Sequence, residues 1–448
     1  MDQEQSKNRI AFSPYRITDI FIYVMLAGLP LWFDRGGYTN LTTSKYLFFA
    51  VATGIWLILV TVSALVRKEK ISMSADKWIV VFLVIVAFLS SLFSPYQEDV
   101  WMGSGRYNGF LTIVMYGILY LGVSSYGSPK MSYIAVLITS LAVCSIVGIF
   151  QLLGYNPFHL FPGDWNYYDK GIYYSSEFLG NVGNVDLFGA LLSAAIPAAV
   201  AAALFGNGKS SLLMLIPVSL CLFVGLEIWV SSMILGLLTG FAVVVFLCVR
   251  KKDSVDKGRI LPVIIVLLLT VLLSALISFQ EGKATVGIHR ETAVESTETQ
   301  ETNDLEKIAE GDWEKAGSSR LGIWKMLLDT VPEYPWLGSG PGSTAKRAEM
   351  VFERYVPETG NTLKARVDNA HNEYLEYLVG EGILGLTLYL LLIIFTIRRF
   401  RKETDAKKIM LIPAMAGYWV QSFFGLGLVL VLPVVYIFWA LVASKKEE

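Results

Sequence analysis

The sequence predicts an all-α integral membrane protein with about 12 transmembrane helices and one large loop between helices 9 and 10. Three observations carry this expectation: an apolar composition, a succession of apolar runs of membrane-spanning length, and an uneven placement of basic residues.

Of 448 residues, 54% are hydrophobic and only 17% are charged, and the mean hydropathy is +0.53. A soluble domain carries about 25% charged residues, so this chain belongs in lipid. The formal net charge of -1 argues against a strongly basic nucleic-acid binder. Cys144, Cys221 and Cys248 all lie inside apolar runs and lack CxxC spacing. Neither a disulfide framework nor a cysteine zinc site is on offer.

A membrane span needs about 20 predominantly apolar residues. Runs of this kind begin near Ile17, Lys45, Lys77, Asn108, Met131, Asp186, Leu212, Trp229, Ile260, Glu376, Ile409 and Leu426. The first lacks a clear small-residue cleavage site and leads into further runs, so it reads as a retained span. The stretches 212–249 and 409–443 are each one long apolar run, divided here at a tight outer turn because the charges require it. With both termini inside, 22 of the 37 basic residues fall in the inner segments. The short outer loops then hold only Arg35, Lys45, Arg106 and Lys170, as the positive-inside rule expects.

The other eleven basic residues sit in one outer loop from about Gln280 to Leu375. Loops of such length are usually functional or disordered. Its first part, 281–317, holds ten acidic against four basic residues and few large apolar groups, and reads as a flexible acidic tether. From Ser318 the character changes. Leu321, Trp324, Leu327, Leu328 and Val331 recur at helical spacing until Pro332 ends the pattern. The expected organisation is therefore spans 1–9 over 1–280, the tether over 281–317, an extracytoplasmic cap over 318–375 and spans 10–12 over 376–448. His159, His289 and His371 all fall on the outer side, so any chemistry is expected there.

The richest polar constellation is DNAHNEYLEYLVGEGILGL, from Asp368 to Leu386. Asp368 or Asn369 is expected to cap the helix, leaving His371 in its first turn. There the positive end of the helix dipole disfavours imidazolium and keeps a neutral nitrogen as base. Asn372 and Glu373 add polar groups beside it. A histidine in this setting also fits a plain cap residue at the lipid headgroups, and the residues alone leave both readings open.

The segment 318–343 places Arg320 at the start of the cap helix, where its planar fork suits oxyanions. Gly338, Gly340 and Gly342 follow, permitting positive φ and close backbone approach to a ligand. No Gly-Lys-Ser/Thr accompanies them, which excludes a nucleotide P-loop, and taken alone such glycines more often form a plain connection than a binding site. Two shorter segments, 101–109 with Arg106 and 179–189 with Asn181, Asn184 and Asp186, add polar groups at the outer surface. Between them Asp164, Trp165, Tyr167, Tyr168, Tyr173 and Tyr174 form an aromatic and acidic mixture that suits sugar stacking or an interfacial hairpin.

Taken together these segments resemble the O-antigen ligase and polymerase family of membrane glycosyltransferases. That family's pattern is an outer-loop arginine followed by tryptophan, a proline and glycine turn, and a histidine with asparagine entering a late span. Arg320, Trp324, Pro335, Gly338, Gly340, Gly342, His371, Asn372, Gly382 and Gly385 match in that order, and Arg106, Gly109 and the Asn184 segment resemble the earlier motifs. The resemblance implies a GT-C-like membrane fold in the bacterial cytoplasmic membrane and a polyprenyl-diphosphate-linked glycan donor. It implies a lipid, glycan or protein acceptor, and neither cofactor nor metal.

By the same resemblance His371 is the base that deprotonates the acceptor hydroxyl and Arg320 neutralises charge on the departing diphosphate. Arg106, Asn184, Trp324, the three glycines, Asp368, Asn372 and Glu373 are the expected substrate-binding set. One departure stands out: where the family often has a Ser-Arg pair entering a middle span, this chain has Ser232 and Met233. Arg106, Arg347, Arg354 and Arg366 are the candidates to replace that arginine. Ligase and polymerase are not separated by the sequence. A transporter or flippase is the rival from another class, but no internal repeat is visible.

Overall fold

The computed structural model describes residues 13–153, 155–160, 180–206, 208–280, 320–348, 351–356 and 361–444. The expected acidic tether, the Ser318 cap, His289 and the aromatic residues between 164 and 174 lie outside the described residues.

Among the described residues nine long helices precede the large loop: α1 (Pro14–Leu31), α2 (Leu41–Arg67), α3 (Ala75–Phe93), α4 (Phe110–Tyr126), α5 (Met131–Leu152), α6 (Val185–Phe205), α7 (Leu215–Ile228), α8 (Ser231–Arg250) and α9 (Lys257–Gln280). The loop contributes α10 (Arg320–Thr330) and an antiparallel hairpin of β1 (Val351–Val356) and β2 (Asn361–Arg366). Then follow α11 (Glu373–Phe400), α12 (Ile412–Gln421) and α13 (Leu432–Ala443). Each of the twelve expected starts falls on or close to a helix. Among the described residues eight helices are long and apolar enough to cross a membrane, and α4 and α13 are shorter apolar helices. The chain is a multi-pass membrane protein. The β-hairpin is the departure from the all-α expectation.

Helix α6 forms the centre and is buried from Leu187 to Phe205. Its alanine-rich surface lets neighbours approach closely, as membrane helices do where small residues meet. A Cβ on Gly236 of α8 would stand 2.7 Å from both Ser193 Oγ of α6 and the Gly417 carbonyl oxygen of α12. Lys45 was expected in an outer loop, but it lies within α2, 1% exposed. Its ammonium donates to the carbonyls of Leu29 (2.5 Å) and Pro30 (2.9 Å), groups at the α1 C-terminus that lack helical partners.

The sequence reads as one straight span from Glu376, whereas α11 is two arms folded back on each other at Gly382. That residue adopts φ 70° and ψ −167°, open only to glycine without strain. The rings of Tyr377 and Tyr389 stack with centroids 4.3 Å apart, although twelve residues of straight helix separate their positions by about 18 Å. Gly385 lets the arms touch, since a Cβ there would lie 2.2 Å from that of Glu381.

The break frees backbone groups that need partners, and the turn 334–343 supplies them. Ser339 N–H donates to Val379 O and Gly340 N–H to Gly380 O, each at 2.9 Å, closing the first arm. The second arm starts with Ile383 N–H donating to Pro335 O (2.9 Å) and Leu384 N–H to Trp336 O (3.3 Å). From α3, the Ser90 hydroxyl donates to Gly380 O at 2.6 Å. Gly338, Gly340 and Gly342 all have positive φ, and added Cβ atoms would meet Gly380 O at 2.3 Å, Val100 Cγ1 at 2.2 Å and Asn108 Oδ1 at 2.9 Å. The close approach these glycines permit is to the chain itself.

Candidate active site

The folded-back arm places its N-terminus, and the loop before it, against α6 and α10. Helix α11 begins at Glu373, with Asn372 as its cap: the Asn372 Oδ1 accepts from Leu375 N–H at 3.0 Å. The expected cap at Asp368 or Asn369 is thus displaced along the chain, and His371 precedes the helix rather than sitting in its first turn. It adopts φ 48°, the left-handed region that costs a non-glycine residue about 1–3 kcal/mol and persists only where surroundings enforce it.

The enforcement is visible residue by residue through 368–372. Arg106 grips Asp368, its Nη2 at 2.6 Å and its Nε at 2.8 Å from the same Oδ2. The Trp324 indole N–H donates to Ala370 O at 2.8 Å, and the tryptophan is wedged against Phe423 and Phe424. Ala370 N–H donates to Glu376 Oε1 at 2.5 Å, whose Oε2 accepts from the Thr344 hydroxyl at 2.7 Å. The side chain of Asn369 turns back to accept His371 N–H at 2.8 Å. Polar groups on four other segments, with Asn369 of the loop itself, therefore fix one histidine.

The imidazole itself is left without such ties: Nδ1 is buried and has no hydrogen-bond partner among the described residues. Burial is the largest influence on its pKa and pushes it below the ordinary value of 6.5, because a low-dielectric setting disfavours imidazolium. The Asp186 carboxylate pulls in the opposite direction, Arg320 lowers the value again, and Asp368 and Arg106 act likewise in opposite senses. Arg320 Nη2 lies 3.6 Å from Asp186 Oδ1, both side chains about one-fifth exposed. His371 thus sits between two arginine–carboxylate pairs, Arg320–Asp186 and Arg106–Asp368. The net result is a neutral, basic nitrogen next to two guanidinium groups, an arrangement suited to taking a proton while neighbouring negative charge is stabilised.

His371, Arg320, Arg106 and Asp368 are brought together as the sequence suggests. Asn184 caps α6, its Oδ1 accepting from Leu187 N–H at 3.0 Å, and so fixes the first turn that carries Asp186. Glu373 is buried, its two carboxylate oxygens accepting from the hydroxyls of Tyr389 (3.0 Å) and Tyr418 (2.6 Å). Arg347 is committed to the segment after α10, with its Nη1 3.2 Å from Glu333 Oε2 and its guanidinium over the Tyr334 ring. Met233 is fully buried, packed on Gly189 and Gly225, so the position where the related pattern has arginine is core here. The side chains of Arg354 and Arg366 lie outside the description.

Two members escaped the sequence reading. Asp186 stood out only as a polar residue near a span end, and its pairing with Arg320 joins segments more than a hundred residues apart. Glu376, which fixes Ala370, was read as the start of a span, although an acid in an apolar helix is itself a functional signal.

Residues 218–390 match the family described as Wzy_C, O-Antigen ligase. Over these residues the chain is similar to the O-antigen ligase family. The family region contains Arg320, Trp324, the glycine turn, His371 and the break at Gly382, while Arg106 and Asp186 precede it and join it through folding. The chain is also similar to the General O-oligosaccharyltransferase of Acinetobacter baylyi, 32% identical over 94 residues. That alignment covers 20% of this chain and 16% of the relative, so the chain matches only a small part of that protein's length.

Proposed function

We propose that the protein is a membrane glycosyltransferase of the O-antigen ligase type, taking its glycan from a polyprenyl-diphosphate-linked donor at the extracytoplasmic face of the bacterial cytoplasmic membrane. The observation that carries this reading is the His371 imidazole held between Arg320 and Arg106, its Nδ1 without a hydrogen-bond partner among the described residues. The distribution of basic residues supports a topology with both termini in the cytoplasm.

In the proposed reaction an acceptor hydroxyl attacks the anomeric carbon of the donor sugar. A new carbon–oxygen bond forms as the bond from that carbon to the diphosphate oxygen breaks. The hydroxyl proton passes to His371, and the polyprenyl diphosphate departs with the bonding electrons. Arg320 and Arg106 exchange part of their interaction with Asp186 and Asp368 for the diphosphate oxygens, which supports the departing charge. The protonated His371 then returns its proton to solvent, completing the cycle with no net change in the protein.

The test is transfer by purified protein in proteoliposomes loaded with lipid-linked glycan from the native organism. Wild type is expected to consume the donor and His371→Ala to lose about 10²–10⁴-fold in rate while remaining folded. Equal rates for the two proteins would remove His371 as base. A ladder of products indicates polymerisation, and a single transferred glycan indicates ligation.

A further inference from the structure

A second site opens on the opposite end of α11 from its break. A groove of about 480 Å³ runs between α8, the second arm of α11 and α12. Its floor and walls are apolar, formed by residues such as Val243, Phe246, Ile393, Ile397 and Ala416. At one end lies Tyr374, and at the other lie Arg250 and Arg401.

Both arginines are exposed. The Arg250 Nη2 donates to the Arg401 carbonyl at 3.0 Å, which draws the two residues together, and neither is paired with a carboxylate among the described residues. Along α8 the lining extends from Thr239 to Arg250, eleven residues or about 16 Å of helix. That is close to half of the roughly 30 Å hydrocarbon core. The groove therefore has the length of one leaflet, an apolar body and a dibasic end.

We infer that this groove binds an anionic phospholipid of the cytoplasmic leaflet, with its phosphate on Arg250 and Arg401 and an acyl chain between α8, α11 and α12. Charge complementarity selects the occupant. Two guanidinium groups with no carboxylate partner among the described residues, at the end of a hydrocarbon-lined channel, match a phosphodiester joined to an acyl chain, and arginine binds such oxyanions through its planar fork. The basic end is cytoplasmic by the positive-inside rule, and anionic lipids attract basic residues there. The dibasic end of the groove lies at the far end from Tyr374, and the inference does not depend on the proposed reaction.

The test uses the full-length protein, stripped of lipid in a neutral detergent and titrated with phosphatidylglycerol or phosphatidylcholine in mixed micelles, with bound lipid counted by native mass spectrometry. Wild type is expected to retain phosphatidylglycerol preferentially. Arg250→Gln and Arg401→Gln are each expected to weaken it about five-fold, and the double variant about thirty-fold, from roughly 1 kcal/mol per basic residue. Phosphatidylcholine binding should not change. Because both side chains are exposed, an unchanged melting curve in phosphatidylcholine checks that the variants fold. Equal retention of both lipids by wild type, or undiminished phosphatidylglycerol binding by the double variant, overturns the proposal. Preferential binding of a polyprenyl phosphate that ignores both arginines also overturns it, assigning the groove to an isoprenoid tail.

Discussion

Glu373 and Tyr389 are separated by 16 positions in the sequence, yet a carboxylate oxygen of one and the hydroxyl of the other lie 3.0 Å apart. This contact requires the two arms of α11 to run side by side, and it sets the base of the short arm, with His371 just before it, at the level of the middle of the long one. Seven residues from Gly382 to Tyr389 correspond to about 10 Å of helix. The candidate base therefore lies inward of the bend.

Gly382→Ala tests that geometry. A Cβ at this position would stand 2.4 Å from the Trp336 carbonyl, and φ 70° adds a strain of about 1–3 kcal/mol. The variant is expected to melt several degrees lower in detergent. Gly54→Ala, where a Cβ meets nothing within 4 Å, should melt like wild type. Equal melting of the two variants would contradict the tight bend.

Trp324 is a positioning residue. Trp324→Phe keeps most of the ring packing but leaves the Ala370 carbonyl without its donor, an effect of about 1–3 kcal/mol where the group stays buried. Donor KM is expected to hold near the wild-type value while kcat falls about tenfold or more. A change confined to KM would instead place the indole against the substrate.

The pH profile follows from the lowered pKa of His371. The neutral imidazole is the competent form, so activity should be full above its pKa and fall as pH drops through a value below 6.5. Asp186 raises that pKa and Arg320 lowers it. Asp186→Asn should consequently move the acid limb to lower pH and Arg320→Gln to higher pH, whatever each does to the maximal rate. Movement of both limbs in one direction would exclude His371 as the titrating group.

Arg106→Gln separates stability from function. The Arg106–Asp368 pair leaves both side chains more than one-third exposed, where ion pairs contribute at most about 1 kcal/mol. The melting temperature should shift little while transfer falls, because the pair tethers the histidine loop and supplies one of its two cations. A large drop in melting temperature with residual activity intact would reverse that assignment.

Much of the helical framework is legible in the sequence, because apolar runs and basic residues are local signals set by the membrane. The fold-back of α11 is not, since residues on both sides of Gly382 continue the same apolar pattern and only the tertiary partners of Ser339 and Ile383 reveal the break. The hairpin of β1 and β2 escaped for a related reason: its mixed charged and apolar residues carry no clear period. At the site, His371, Arg320 and Arg106 were legible as residue types suited to base and oxyanion chemistry. The glycines of the 338–342 turn were not correctly weighed, because a ligand and the protein's own backbone demand the same absence of a side chain. Asp186 could be noticed but not matched with Arg320 until folding brought α6 and α10 together.

The insertion of the 334–343 turn into the α11 break sets a limit on recombination. Its backbone completes the helix ends on either side of Gly382, so the turn and the late helix are not separable modules. A chimaera joined after the turn and before Glu373 would pair one protein's turn with another's bend and lose four backbone hydrogen bonds unless both halves were matched. Exchange of acceptor specificity between relatives should succeed only when residues 320–400 travel as a unit, and natural variation in the turn should be constrained by the bend more than by the glycan.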